Sequence, residues 1–491
     1  MAARPGLTEQ ADALRAGQVG SRELVERALA AIEATQPTLN AFRVVCAASA
    51  LAEAERADRR LAQGERLPLL GVPVAIKDDV DLAGHPTSFG CRGEFRIARE
   101  DCEMVRRLRA AGAAIVGKTN TPEVGLYPFT EGDAFGATRN PWSLGHTPGG
   151  SSGGAAAAVA AGIVAGAVGS DGAGSVRIPA GWCNLIGVKP QRGRISAWPD
   201  PDPFNGLTCL GPLTRTVADA ALMLDVLGGS HERDRHRPPP HPIPYSQAIA
   251  REPRRLRFAL SLRHPYSAAP VRLHPEVRAA TVRLAGVLEG LGHERVDARP
   301  RYGLMGLSLI ARGESGVHQW VSAHVPDRAL LDRRTRETAS LGGLLGRTAL
   351  PLARRIEPRF RRRLGAVFGA ADVLVAPTSA TPPLAIHASR GLSTRATQQL
   401  IAGSCPYAWP WNVLGWPGVS VPAGLTGDGL PIGVQLLGPA GSEGRLLSLA
   451  AELERAERWH ERTPPHAVDV ASPAEPSADA TAGLGEQALS L

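Results

Sequence analysis

Residues 149–190 read GGSSGGAAAAVAAGIVAGAVGSDGAGSVRIPAGWCNLIGVKP. From 153 to 169 the run holds only Gly, Ala, Val and Ile, with five glycines and neither Leu nor Phe. That composition makes a poor membrane span and suits a close-packed buried helix that enters a strand. Glycine is needed where the backbone takes positive φ or where another group approaches the main chain closely. Glycines beside hydroxyls allow two readings. One is a phosphate cradle, but a P-loop wants GxxxxGK[ST], and no lysine follows these glycines. The other is a catalytic turn, in which the N–H groups of residues 171–175, DGAGS, converge beside the Ser175 hydroxyl to hold an oxyanion.

Moving outward, residues 72–77, VPVAIK, alternate as a strand and end on Lys77. Residues 21–34 carry Leu24, Ala28, Leu29 and Ile32 at helix spacing, with Ser21 as N-cap, and 43–61 is expected to continue as helix. Residues 101–111 read as an amphipathic helix stopped at Gly112, and 113–117 as a short strand. Further helices are expected over 217–227 and 275–291, and further strands over 257–262, 372–376, 419–421 and 432–437. Prolines make 236–244 an extended surface loop. No internal repeat is apparent. The alternation predicts one α/β domain, a single large mixed sheet with helices on both faces.

The chain has 491 residues and a formal charge of +8, and its 43% hydrophobic content is that of a globular protein. The basic run at 359–363, RFRRR, reads as a solvated helix face, since no basic, aromatic-interleaved stripe supports nucleic-acid binding. Cys46, Cys91, Cys102, Cys183, Cys209 and Cys405 form no CxxC pair and no metal-ligand spacing, which fits free thiols in a reducing cytoplasm. No apolar stretch of signal-peptide type opens the chain. The end, from Thr463, is rich in Ala, Pro, Ser, Glu and Asp and is expected to be disordered.

Of 55 basic residues, three are lysines, Lys77, Lys118 and Lys189; the others are arginines. Arginine cannot give up its proton in a protein, whereas a buried lysine can become neutral. Codon bias with chance survivors is the bland account; a need for a neutral amine is the sharp one. A serine nucleophile usually takes histidine as base. Among 13 histidines only His85 and His146 fall in the motif-dense stretch, and neither sits in a triad context. The GxSxG elbow is also missing around Ser175. Lys77, desolvated at a strand end, is the better base.

Residues 149–154 (GGSSGG), 169–179 (GSDGAGSVRIP) and 187–190 (GVKP) together resemble the signature of the amidase signature family. The supporting motifs GVPVAIKD at 71–78, GKTNTPE at 117–123, AFGATRNPW at 134–142 and PIGVQ at 431–435 follow in order. The motif form is nearest to bacterial amidases of the nylon-type cyclic-amide hydrolases. The resemblance, over roughly residues 8–462, implies a Ser-cisSer-Lys relay. Ser175 falls on the nucleophile, and Ser151, after a cis peptide bond, on the serine that passes a proton between Lys77 and Ser175. It further implies an oxyanion hole from the N–H groups of Gly172, Ala173, Gly174 and Ser175, and support of the Lys77 network by Ser152. One departure is that the family's common DTGGS is DGAGS here, which keeps the backbone donors and loses a threonine hydroxyl.

Weaker expectations complete the site. Lys118 and Lys189 have structural roles, capping carbonyls or pairing with a carboxylate. Asp171 is a loop-fixing acceptor that Arg177 pairs with. Tyr127 and Thr130 face substrate on family position alone. Trp409, Trp411 and Trp416 are core residues by default and a pocket wall as the alternative. The catalytic domain is expected over 1–465, with N-terminal helices over 8–62, a signature core over 70–228 and a variable pocket region at about 300–371. Residues 466–491 would be tail. The expected activity is hydrolysis of a carboxylic amide through an acyl-enzyme, with no metal and no cofactor. The expected partner is a small-molecule amide, with neither nucleic acid nor membrane; a homodimer is left open. Two alternatives stand: the amidase subunit of a glutamine-dependent tRNA amidotransferase, and a non-catalytic scaffold on the same fold.

Overall fold

The computed structural model describes residues 4–251, 255–265 and 270–468. Its strands, in chain order, are β1 Phe42–Val45, β2 Pro73–Lys77, β3 Ala114–Thr119, β4 Glu131–Gly132, β5 Gly136–Ala137, β6 Gly166–Asp171 and β7 Ile186–Lys189. They continue with β8 Cys209–Thr214, β9 Arg257–Leu260, β10 Glu294–Arg295, β11 Val373–Pro377, β12 Gly418–Leu425 and β13 Pro431–Leu437. Strands β4 and β5 form a small separate ribbon, and the rest make one 11-stranded sheet in the order β1-β3-β2-β6-β8-β7-β12-β13-β11-β9-β10. The sheet is mixed: β3, β2 and β6 run parallel, whereas β6, β8, β7, β12, β13 and β11 pair antiparallel in turn. The expected α/β architecture is therefore present.

Both faces of the sheet are covered, so its central strands are buried throughout rather than alternating in and out. Every residue of β2, β3, β6 and β8 is buried. Helix Gly153–Ala161 lies on one face with all nine residues buried. Its first two glycines are required by close approach. A Cβ on Gly153 would sit 2.2 Å from Thr130 Oγ1, and one on Gly154 would sit 2.4 Å from the Ala41 carbonyl oxygen.

Three expectations are corrected. Residues 43–61 are not one helix: Phe42–Val45 is an edge strand paired antiparallel to β3, and the helix spans Ala47–Ala62. The aromatic and β-branched residues Phe42, Val44 and Val45 favour a strand, a local signal that the later alanine-rich pattern masked. Ser21 is not the N-cap of its helix, which spans Ser21–Leu39 after Gly20. The Asp58 carboxylate supplies the cap instead, accepting from the N–H groups of Ser21 at 2.6 Å and Arg22 at 3.0 Å. The Ser21 hydroxyl donates to the Gly71 carbonyl at 2.9 Å. The start of the expected tail is bound to the body: the His466 N–H donates to the Pro141 carbonyl at 3.2 Å and the Val468 N–H to that of Ala161 at 2.9 Å. The remainder, 469–491, lies outside the described residues.

The run at 359–363 lies on helix Leu350–Gly365 with its four arginines exposed. All six cysteines are free and buried. Among the described residues, no helix is long and apolar enough to cross a membrane.

Candidate active site

Strands β2 and β6 are parallel neighbours, with Ile76 opposite Val168, so their carboxyl ends open side by side. Crevices beyond the carboxyl ends of parallel strands are where α/β folds gather chemistry. Lys77 closes β2, and Ser170 and Asp171 close β6. Residues 149–152 lead over these ends into helix Gly153–Ala161, and the peptide bond between Gly150 and Ser151 is cis.

The Lys77 amine is fully buried. It lies in hydrogen-bond reach of Ser151 Oγ at 2.7 Å and Ser170 Oγ at 2.8 Å, and 3.3 Å from Asp79 Oδ2. The Ser170 hydroxyl donates to Asp79 in turn. Burial pushes the amine below the ordinary lysine value of 10.5, against the charge and hydrogen bond of Asp79 and the charge of Asp171, which favour the proton. Ser152 acts one step removed. Its hydroxyl donates to the Ser170 carbonyl at 3.1 Å and accepts from the Ser170 N–H at 3.2 Å, which fixes Ser170 beneath Lys77. The Ser152 N–H donates to the Ser175 carbonyl at 3.1 Å and ties the two serine loops together.

The loop carrying Ser175 is wound around Asp171. That carboxylate accepts from the N–H groups of Gly174 at 2.8 Å, Val176 at 3.2 Å and Arg177 at 3.3 Å. It also takes a two-pronged contact from the Arg177 guanidinium, 3.0 Å on each side. Arg177 is fully buried and reaches Ala408 O, Gln435 Oε1 and Asn412 Oδ1 as well. Burial alone would raise the Asp171 carboxyl, but Arg177, Lys189 and Asn412 together hold it well below the ordinary range. Asp171 and Arg177 are thus the brace of the loop.

The expected four-donor oxyanion hole is reduced by this brace, since the Gly174 N–H is committed to Asp171. Among the described residues no protein acceptor engages the N–H groups of Gly172, Ala173 or Ser175, and these three residues line the cavity. The DGAGS departure is accommodated without strain at Ala173, which is not among the positive-φ residues; Gly174 is, at φ 124°. A Cβ on Gly172 would approach Thr208 Oγ1 at 2.9 Å. Thr208 lines the cavity there, so a side chain at 172 would require the Thr208 hydroxyl to shift.

The cavity measures about 1010 Å³ and is lined by Ser151, Ser170, Ser175 and Tyr127 among others. Tyr127 is buried, with its hydroxyl close to the Thr335 side chain. Thr130 does not line the cavity; its hydroxyl donates to the Gly149 carbonyl at 2.9 Å, two residues before Ser151. Of the three tryptophans, Trp409 lines the cavity, whereas Trp411 and Trp416 do not. The Trp411 indole donates to the Gly438 carbonyl at 3.0 Å, and Trp416 packs edge-on against Phe368. Lys118 pairs with Asp78 at 2.8 Å and donates to the Pro86 carbonyl at 2.7 Å, and Lys189 donates to the Pro190 carbonyl at 3.0 Å.

From the region at about 300–371, the cavity wall is helix Met305–His324 with the preceding Leu304; helices Arg333–Thr348 and Leu350–Gly365 stand behind it. Helix Thr394–Ser404 also lines the cavity, through Gln398, Ile401 and others, and sequence reasoning passed it over. Asp79, Ser170 and Asn412 were missed too. For Asp79 the signal was a carboxylate two residues beyond Lys77, in the turn that follows the strand end. Among the described residues no group of three or more His, Cys, Asp or Glu is arranged to hold a metal ion.

Known proteins resemble this chain in sequence and in fold. A family model described as "Amidase" matches residues 23–447. "Putative amidase AmiA2" of Mycobacterium tuberculosis is 54% identical over 461 residues, covering 94% of this chain and 95% of that protein. The 6-aminohexanoate-cyclic-dimer hydrolase of Paenarthrobacter ureafaciens is 36% identical over 495 residues, covering 93% of this chain and 96% of that one. The solved structure of 6-aminohexanoate cyclic dimer hydrolase complexed with substrate superposes with a TM-score of 0.87 at 32% identity, over 94% of this chain and 99% of the other. Fold and likeness define an amide hydrolase. The chain belongs to the amidase family.

Proposed function

We propose that the protein hydrolyses a small carboxylic amide through an acyl-enzyme on Ser175, with Ser151 and neutral Lys77 as the proton relay. The observation that carries this reading is the set of three partners around Lys77 Nζ: Ser151 Oγ, Ser170 Oγ and Asp79 Oδ2. Ser170 gives its proton to Asp79, so it must accept from Lys77. A neutral amine has two N–H bonds and one lone pair. With the N–H bonds directed to Ser170 and Asp79, the lone pair is left for the Ser151 proton.

Ser175 Oγ attacks the amide carbon while its proton moves to Ser151 Oγ and the Ser151 proton moves to Lys77. The carbonyl oxygen becomes an oxyanion facing the unengaged N–H groups of Gly172, Ala173 and Ser175. The C–N bond then breaks, and the departing amine takes the proton back from Lys77 through Ser151. Water repeats the sequence on the acyl-enzyme and releases the carboxylic acid. No step calls on a metal or cofactor. A cytoplasmic setting belongs to the same reading and is supported by six unpaired, buried thiols. The test is turnover of simple amides by the purified chain without ATP or a second subunit, with formation of a Ser175 acyl adduct; dependence on a tRNA-binding partner would favour the amidotransferase alternative.

A further inference from the structure

Helix Met305–His324 turns one face to the cavity, through Gly306, Ile310, Gly313, Val317, Trp320 and His324, spaced at three or four residues. Glu314 lines the cavity from the same helix. It is the sole carboxyl that this helix contributes to the lining, between Ile310 one turn before it and Val317 one turn after. Its Oε2 is buried and has no hydrogen-bond partner among the described residues. Each of the other carboxyls that line the cavity has at least one partner, although Asp79 Oδ1 is buried without one. Asp79 meets Lys77 and Ser170, Asp81 accepts from Thr87 at 2.8 Å, and Asp200 accepts from the Asp202 N–H at 3.1 Å. Arg395, the one Lys or Arg among the lining residues, lies exposed, so the lining is acidic on balance.

A half-buried carboxyl whose inner oxygen has no partner is unfavourable, and a ligand in the cavity can complete it. We propose that Glu314 is a substrate-recognition residue that receives a primary ammonium group carried on the substrate away from the scissile carbonyl. The preferred amides are then those bearing a free amine on the acyl chain or on the amine portion. An ammonium supplies what the site lacks, a charge and strong N–H donors. A methyl in its place would leave the carboxyl unpaired. Burial holds the Glu314 carboxyl up at about 7, with no charged neighbour to lower it, so an arriving cation would supply the missing stabilisation of its ionised form. This inference rests on the Ser175 reading above.

The test uses the purified full chain and two probe series: ω-aminoacyl p-nitroanilides of graded chain length, and N-(ω-aminoalkyl)benzamides, each beside its methyl-ended isostere. In at least one series the wild type should favour the amino-bearing member by about tenfold or more in kcat/KM, and Glu314→Gln should bring the ratio to within about threefold, chiefly through KM. A ratio near one at every length in both series overturns the assignment, as does a ratio that Glu314→Gln leaves unchanged. The wild-type ratio needs no variant to fold. If no probe turns over, the same compounds are used as competitors of fluorophosphonate labelling at Ser175, and equal protection by amino-bearing and methyl-ended members overturns it. Labelling of Ser175 without amine preference removes the Glu314 role alone, whereas no labelling removes both readings.

Discussion

Lys77 Nζ and Ser151 Oγ lie 2.7 Å apart, although 74 residues separate them in the chain. The contact exists because β2 and the strand–loop unit built on β6 end at the same edge of the parallel part of the sheet. It gives the proposed relay its first link, from a dry amine to a hydroxyl. Lys77→Arg keeps a positive charge and removes the means to lose it. The expected result is a fall in kcat of about a thousandfold or more with the fold retained, read by steady-state kinetics and circular dichroism.

Asp79 gives a prediction with a definite sign. The relay needs Lys77 unprotonated, so activity rises with pH as the amine loses its proton. The Asp79 carboxylate favours the protonated amine and so moves that rise upward. Asp79→Asn removes this pull, and the acid limb of the kcat/KM profile should move to lower pH. A shift to higher pH would show that Asp79 does not act on Lys77 as an electrostatic partner.

Arg177 and Asp171 form a fully buried pair beneath the loop that carries Ser175. Arg177→Met leaves a buried carboxylate without its counter-charge and should destabilise the protein by about 3–5 kcal/mol, measured by urea unfolding. Because the Asp171 carboxyl sits below its ordinary value of 3.8 in the folded state, its contribution is present above that pH and is lost as pH falls through and below it. The wild type should therefore lose stability below about pH 4, and Arg177→Met should lose less over the same interval.

The strands were legible where apolar runs were bounded by turn residues, as at residues 73–77 and 431–437, and the helix at 217–227 matched its expected bounds. The edge strand Phe42–Val45 was not, because four residues carry too short a pattern to stand against a following helix. Ser151, Ser175 and Lys77, the members of the proposed relay, were legible as motif positions. The groups that tune them were not: Ser170 and Asn412 reach the site only through folding, Asn412 by donating to the Asp171 carbonyl at 2.6 Å across 241 residues. The Asp171 acceptor role was expected, but its capture of the Gly174 N–H, which withdraws one donor from the proposed oxyanion hole, depends on loop geometry that no spacing encodes.

Treating the wild type and Lys77→Ala with a fluorophosphonate, followed by peptide mass spectrometry and a time course, tests the proposed relay most directly. The account predicts one adduct, on the peptide containing Ser175, forming at least about a hundredfold more slowly in Lys77→Ala. An adduct at another residue, or equal rates in the two proteins, would contradict it.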